Sequence, residues 1–308
     1  MSSTRGKRTA ALVLVAASIA MGWGDGDTAE AARRRRIDVF PGKNAIGRAI
    51  RAASPGDVLR IHPGRYPEVV EIDKRLTLRG VGKRLPTIDG RCRTGIVVDV
   101  RADGVRLKRL RVQGASGEAG ALSTEVNFAF VTNGVARRMV FRDTCDAEYG
   151  VNVYRTGRVV VARSRARGFA DAGLYVGDTL EGPVFFRRNE AFDNNRGIIV
   201  EDSLPGTVVV SGNVVYGNDQ PGTGPEPSGI DVIRTDGALI VRNVVRDNLV
   251  YGIRAYAQPQ NVSEGNRFFD NVVSGSGTYD VYDETVTQNC WNGTTYGTAS
   301  PDPPPQCP

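Results

Sequence analysis

The sequence predicts an all-β chain wound as a single-stranded parallel β-helix, a solenoid of about ten coils with a short N-terminal capping helix. Three observations predict it. A Gly-led alternating strand opens five units between Gly150 and Asn271, at Gly150, Gly173, Gly197, Gly229 and Gly252, spaced 23, 24, 32 and 23 residues. A second apolar run follows in most units: Val159–Val161, Val184–Phe186, Val208–Val210 and Leu239–Val241. Two Asn five residues apart come next: Asn189/Asn194, Asn213/Asn218, Asn243/Asn248 and Asn266/Asn271.

The period also suits leucine-rich repeats. The apolar positions here are mostly Val and Ile alternating at period 2, with no helix-length run inside a unit, so strands are the better reading. Three short strands and three turns fill one coil. Each strand then pairs with its copy one coil on, about 4.8 Å away. Asn suits the turns because it tolerates left-handed backbone and its side chain bonds main chain. Stacked copies can also bond one another along the axis. The one long interval contains Gln220 to Pro227, rich in Pro and Gly, which reads as an inserted loop.

In chain order, residues 1–31 read as a secretory signal peptide. Arg5, Lys7 and Arg8 precede an apolar stretch from Ala10 to Trp23, too short for a stable membrane span, and Ala29-Glu30-Ala31 supplies the cleavage pattern. Residues 32–40 read as a basic arm, with Arg33 to Arg36 solvated. The β-helix is placed at 41–285 and a disulfide-tied, Pro-rich tail at 286–308. Asn44 to Ala53 has apolar residues at helical spacing and stops at Pro55-Gly56. Such a helix covers the open end of the core and its unpaired strand edges. Strands follow at Val58–His62, Val69–Ile72 and Leu76–Arg79, and Thr87–Gly90 closes a turn. Gly95–Val100 and Val105–Val112 give two strands of the next coil. Gly114–Gly120 is a loop, and Phe128–Val131 and Met139–Phe141 belong to a further coil.

The run Gly42, Ala45-Ile46, Ala49-Ile50, Pro55-Gly56-Asp57-Val58, Pro63-Gly64-Arg65-Tyr66 and Leu76-Thr77-Leu78-Arg79-Gly80 resembles the opening segment of the right-handed parallel β-helix superfamily, the pectin-lyase-like fold. The repeats from Gly95 to Asn271 resemble its coils. The resemblance implies a right-handed solenoid but no single activity. The superfamily includes pectate and alginate lyases, polygalacturonases, uronate epimerases and adhesins. In its enzymes, the substrate groove follows an outer strand face.

On the strand after each leading Gly, the second and fourth places point in and the third and fifth point out. The outward residues are Asn152, Tyr175, Ile199, Asp231 and Arg254, with Tyr154, Gly177, Glu201, Ile233 and Tyr256; Arg155, Asp178, Asp202 and Arg234 lie just beyond. Two chemistries are expected from this set. In a lyase, Arg234 or Arg254 is the base, and Asp178, Glu201, Asp202 and Asp231 hold Ca²⁺ through oxygen ligands. In a hydrolase, Asp202 and Asp231 form the carboxylate pair. Asn152, Tyr154, Arg155, Tyr175 and Tyr256 would bind sugar. The Asn-Thr-Asp and Gly-His-Gly patterns of polygalacturonases and the Asp-Pro-His pattern of epimerases are absent. The competing reading is a solvated face with incidental charge pairs, on a non-catalytic surface or adhesion scaffold.

Four Cys permit three pairings, and spacing favours Cys92–Cys145 with Cys290–Cys307. A zinc site lacks both C-x-x-C spacing and more than the one His, His62, which reads as structural. Three Met and one His argue against copper. Asn261 and Asn292 match the glycosylation pattern. The formal net charge is +6, and removing residues 1–31 takes three basic and three acidic residues, leaving +6. The expectation is a secreted monomer that engages an acidic polysaccharide or anionic cell-surface glycan and takes no nucleic acid. Ca²⁺ is the one candidate ion, and no cofactor is required.

Overall fold

A computed structural model describes residues 34–117, 121–220, 226–256, 263–285 and 288–307. The predicted signal peptide, Arg33, residues 118–120 of the glycine loop, the centre of the insert at 221–225 and Asn261 lie outside the described residues. Among the described residues, strands form three parallel sheets of eleven, ten and nine strands, and each coil contributes one strand to each sheet. The repeat strands run Tyr149–Tyr154, Ala172–Gly177, Arg196–Glu201, Ser228–Ile233 and Tyr251–Tyr256 in the ten-stranded sheet. Their partners along the axis are Val151↔Leu174, Leu174↔Ile198, Ile198↔Ile230 and Ile230↔Ile253. These inward residues are fully buried, as predicted. The third strand of each coil lies between the two members of each Asn pair from Asn189/Asn194 to Asn243/Asn248, as in Glu190–Phe192.

The helix spans Ala45–Ala52 and buries Ala45, Ile46 and Ile50. Its Asn44 gives no side-chain cap. Glu68, two strands on, accepts the N–H groups of Ile46 and Gly47, both at 3.0 Å. A carboxylate at the helix N-terminus satisfies orphan donors and meets the positive end of the dipole.

Three boundaries move. Arg36–Val39 is the first strand of the eleven-stranded sheet, paired with Val58–Ile61, so most of the predicted free arm is solenoid. Arg35 anchors it, with Nη2 2.8 Å from the buried Asp57. Val105–Val112 breaks into Arg106–Lys108 and Arg111–Gln113 at Arg109, whose φ of 58° turns the chain into the next sheet. The tail also continues the coil. Cys290–Asn292 joins the eleven-stranded sheet and Ala299–Ser300 the ten-stranded one. Trp291 is buried and stacks on Phe268 with centroids 3.8 Å apart. An indole of that size extends the core by a further coil.

Cys92 is bonded to Cys145 and Cys290 to Cys307. Such bonds form and persist in oxidising compartments. Among the described residues no helix is long and apolar enough to cross a membrane.

Asn213 donates its backbone N–H to Asn243 Oδ1 at 2.9 Å and its amide to the same atom at 2.9 Å. Asn243 repeats both bonds to Asn271 at 3.0 Å. Asn194, Asn218 and Asn248 form a second ladder at 3.0 and 2.8 Å. The pairing of Asn266 with the earlier units is corrected. Val244 pairs with Val272, so Asn271 continues the ladder of Asn189, Asn213 and Asn243. Asn266 stands before a strand of another sheet and bonds Asn289 at 3.0 Å. Five residues also separate turns flanking a different strand, so spacing alone cannot distinguish the two.

Glu125 is fully buried and accepts the Ala115 N–H at 3.2 Å. Burial pushes its carboxyl well above the usual glutamate range. The unfolded chain releases this proton at a lower pH than the folded one, so stability falls as pH rises between the two values. Glu125→Gln is therefore expected to be more stable than the parent near pH 7, with the gain vanishing below about pH 4. Urea midpoints measured across that range check it; a gain independent of pH would contradict it.

Candidate functional site

The outward residues of the ten-stranded sheet lie on one face. In register along the axis run Asp99, Asn127, Asn152, Tyr175, Ile199, Asp231 and Arg254. The middle of this strip, the trough, is shielded from water. Asn152 and Arg254 are 4% exposed, Ile199 is 1% exposed and Asp231 is fully buried. Ala172, Ile199 and Ile233 form a second, outer apolar cluster packed by Tyr149, Tyr175 and Tyr256. This corrects the expectation of a solvated face: Tyr149 and Tyr256 at strand ends and Tyr175 within the row pack against the smaller apolar residues.

The polar groups of the trough are bound to one another. Arg254 holds Asp231 through Nη2 at 2.8 Å and Nε at 3.2 Å, and Glu226 through Nη1 at 2.7 Å. Ser228 donates to Asp231 at 2.7 Å. Arg196 lies between Asp171 and Asp231, with Nε 3.0 Å from Asp171 and Nη1 3.6 Å from Asp231. Tyr149 donates to Asp171 at 2.9 Å. On the far rim, Arg234 bonds Glu201 at 2.6 Å and Asp202 at 2.7 Å, and Tyr175 donates to Glu201 at 2.9 Å. Gly177 makes this last bond possible, because a Cβ there would collide with the Tyr175 hydroxyl. Arg155 pairs with Asp178 at 3.3 Å, and Asn152 donates to Asn127 at 2.8 Å.

The expected site residues therefore share a face but do not form the expected sites. The hydrogen bond to Asp202 raises the Arg234 pKa further above its ordinary value. Burial is the largest single influence on Arg254 and works to lower its pKa, but the charge and hydrogen bond of Asp231 together with Tyr256 and Glu226 outweigh it, so the net shift is upward. A proton-abstracting arginine needs the opposite shift. Asp231 is fully buried beneath its partners and out of reach of a sugar, so it forms no pair with Asp202. Of the four carboxylates expected to hold Ca²⁺, Asp178 faces Arg155, Asp231 faces Arg254, and Glu201 and Asp202 face Arg234. Among the described residues no three His, Cys, Asp or Glu side chains gather at one point. The four do not fit a Ca²⁺ site, because each charge already has a guanidinium partner.

Sequence reasoning missed a second face. On the eleven-stranded sheet, Arg60, Arg79, Lys108 and Arg137 are in direct register, followed by Ala162 and Arg187. The next residue along the chain forms a parallel row in left-handed turns: Arg109, Arg138, Arg163 and Arg188, then Gly212 and Arg242. The signal was the dipeptides Lys108-Arg109, Arg137-Arg138 and Arg187-Arg188, each placed directly before the turn into the third strand of its coil.

Fold and trough together define a parallel β-helix protein whose outer strand face carries aromatic rings and a closed ion-pair network. The chain belongs to the family described as periplasmic copper-binding protein (NosD), whose profile matches residues 95–301. Among solved structures, it is similar to a pectate lyase at 15% identity and TM-score 0.62, covering 88% of this chain and 80% of that one. It is similar to an alginate lyase from Paenibacillus sp. str. FPU-7 at 17% identity and TM-score 0.66, covering 86% of this chain and 97% of that one. It also resembles a rhamnogalacturonan lyase at 12% identity and TM-score 0.61, covering 80% and 75%. At these identities the likeness is one of fold. Comparison with curated proteins found no match.

Proposed function

We propose that this is an exported polysaccharide-binding protein that holds an extended sugar chain along the trough without cleaving it. The carrying observation is the placement of aromatic rings at both ends of one face. Tyr149, Tyr154 and Tyr175 stand at one end, and Tyr251, Tyr256 and Tyr282 at the other. The strands bearing Tyr154 and Tyr256 are four coil steps apart, about 20 Å. Rings of this kind offer apolar faces to sugar rings. Arg254 lies 4.2 Å from the Tyr256 ring centre and 4.8 Å from that of Tyr251, which stiffens the second platform. The trough's ion pairs involve Asp171, Asp178, Glu201, Asp202, Glu226 and Asp231 against Arg155, Arg196, Arg234 and Arg254. Six carboxylates against four guanidiniums suit neutral hydroxyls better than a uronate. The pectate, alginate and rhamnogalacturonan lyases sharing the fold act on polysaccharides, which supports the ligand class. Export is supported by the two disulfides and by the family's periplasmic description.

The family's description also names copper, and the residues present do not fit it. His62, the only His, is 2.6 Å from Asp38 and stacks on Phe40 at 4.1 Å. Met139 is buried in the core and all four Cys are in disulfides. That leaves no cluster of soft ligands among the described residues.

Affinity electrophoresis against neutral and uronate polysaccharides tests the reading, with ultraviolet absorbance of unsaturated uronate and reducing ends followed in parallel. Retardation by the neutral polysaccharide without product is expected, and Tyr154→Ala with Tyr256→Ala should weaken that retardation about tenfold. Product formation abolished by Arg234→Ala would establish catalysis and overturn the non-cleaving reading. Retardation unchanged in the double tyrosine variant would remove the trough as the sugar site.

A further inference from the structure

The eleven-stranded sheet carries a cleft of about 650 Å³ lined by Arg106, Lys108, Arg137, Arg163, Arg187, Arg188 and Arg242, with only small or aliphatic residues between them. No carboxylate lines it. Among the described residues, Arg79, Arg106, Lys108, Arg137, Arg163, Arg187 and Arg188 form no ion pair, and of the lining cations Arg242 alone has a carboxylate partner, Asp270 at 3.6 Å outside the lining; the trough guanidiniums are all paired. We propose that this cleft is a second binding site, for a linear acidic polysaccharide lying along the solenoid axis.

The argument rests on spacing, charge and lining. Parallel strands repeat about every 4.8 Å, so successive positions of the strand row, and of the turn row, are one such step apart along the axis. Arg79, Lys108 and Arg137 occupy three successive steps of the strand row, and Arg187 follows two steps later. Arg138, Arg163 and Arg188 occupy three successive steps of the turn row. A flexible surface cluster would spread its charges. Here the strand ladder fixes the backbone under each one, so the cations stay in line at a cost already met by folding. A polymer with one charge per sugar presents anions in a comparable row. Guanidinium forks bind carboxylate and sulfate oxygens bidentately.

The cations also disturb one another. Arg137 is the largest influence lowering the Arg163 pKa, ahead of burial, Arg188 and Arg138. Burial first, then Arg106, Arg79 and Arg137, lowers that of Lys108. Folding has placed Lys108 and Arg163 among like charges without a carboxylate partner, and a polyanion would relieve that repulsion. The cleft's lining separates glycan from nucleic acid. Single-stranded nucleic acid sites pair a basic groove with aromatic platforms for the bases. No aromatic residue is among those lining this cleft, and the neighbouring Phe185 ring is covered by Arg187, whose guanidinium lies 5.3 Å from its centre. The site is on a different sheet from the tyrosine trough and does not depend on it.

The test is binding of the full protein to polygalacturonate, followed by fluorescence anisotropy across a salt series. Oligothymidylate of equal charge and a neutral glucan are the comparison ligands. Binding to polygalacturonate is expected to weaken steeply with salt and to exceed binding to the other two. The triple variant Lys108→Glu, Arg137→Glu, Arg187→Glu should lose at least about tenfold in affinity, while Tyr154→Ala and Tyr256→Ala leave it unchanged. The milder set Lys108→Gln, Arg137→Gln, Arg187→Gln guards against misfolding, since two of the three side chains are exposed. Its melting temperature should match the parent's while its affinity falls. Unchanged affinity in both variants would overturn the site. Tighter binding of oligothymidylate would overturn the glycan assignment. Loss of polygalacturonate binding in the tyrosine variant alone would transfer the acidic ligand to the trough.

Discussion

Replacing Asn243 by alanine is expected to cost about 3–5 kcal/mol of stability, more than any exposed substitution on the coils. The side chain serves two neighbouring coils at once. Its Oδ1 receives the Asn213 backbone N–H and the Asn213 amide, both at 2.9 Å. Its amide donates to the Val210 carbonyl at 3.0 Å and to Asn271 at 3.0 Å. All of these groups are buried, and water cannot follow the missing side chain into a close-packed turn. Each group left unpaired costs about 1–3 kcal/mol, and the shared Oδ1 makes the losses simultaneous. Urea unfolding by far-ultraviolet circular dichroism measures the cost. Because coils interact mainly with their neighbours, the transition should also broaden as the C-terminal coils separate from the rest. A loss under about 1 kcal/mol would mean that the ladder is ornamental and the turns hold without it.

The second large effect concerns Asp231. Asp231→Asn keeps the shape and removes the charge that holds Arg254 at 2.8 Å and faces Arg196 at 3.6 Å. Both arginine side chains are at most 7% exposed, so neither can turn to solvent. Breaking a buried pair from one side costs about 3–5 kcal/mol, because the remaining charge is stranded. Adding Arg254→Met should recover most of that loss, since an apolar replacement of the whole pair is near neutral. The double-mutant cycle gives the coupling directly. If Asp231→Asn unfolds at the parent's midpoint, the trough is solvated, and the argument that its reactive groups are closed to substrate fails. The same cycle thus bears on function, because the ion pairs that stabilise the face are the ones that withhold its arginines and carboxylates from chemistry.

Much of the fold was legible in the residues. The Gly-led strands at Gly150 to Gly252 fixed which side chains enter the core, because alternation at period 2 leaves no choice once one face is buried. The Asn of the turns, the capping helix and the Cys290–Cys307 bond were legible for the same local reason: each depends on a residue's own conformational preference or on short spacing, and Cys92–Cys145, 53 residues apart, followed as the remaining pair. The trough was legible as a set of residues, since Asn152, Tyr175, Asp231 and Arg254 follow from counting along each unit. Its chemistry was not. Whether Arg234 is a free base or a clamped ion depends on Glu201 and Asp202, 33 and 32 residues away.

The remaining differences have one cause. Coils stack by shape, and the loops between equivalent strands differ in length, so residues meet by coil position and not by sequence interval. That is why Asn271 joined the ladder of Asn243 while Asn266 did not. It is also why Arg79, Lys108, Arg137 and Arg187, separated by 29, 29 and 50 residues in the chain, align as one row. The sequence by itself determined the repeat, the inward face and the turn chemistry, which are local. Only the tertiary structure decided which charges neutralise each other and which stand unpaired in a cleft, because that depends on distances across coils.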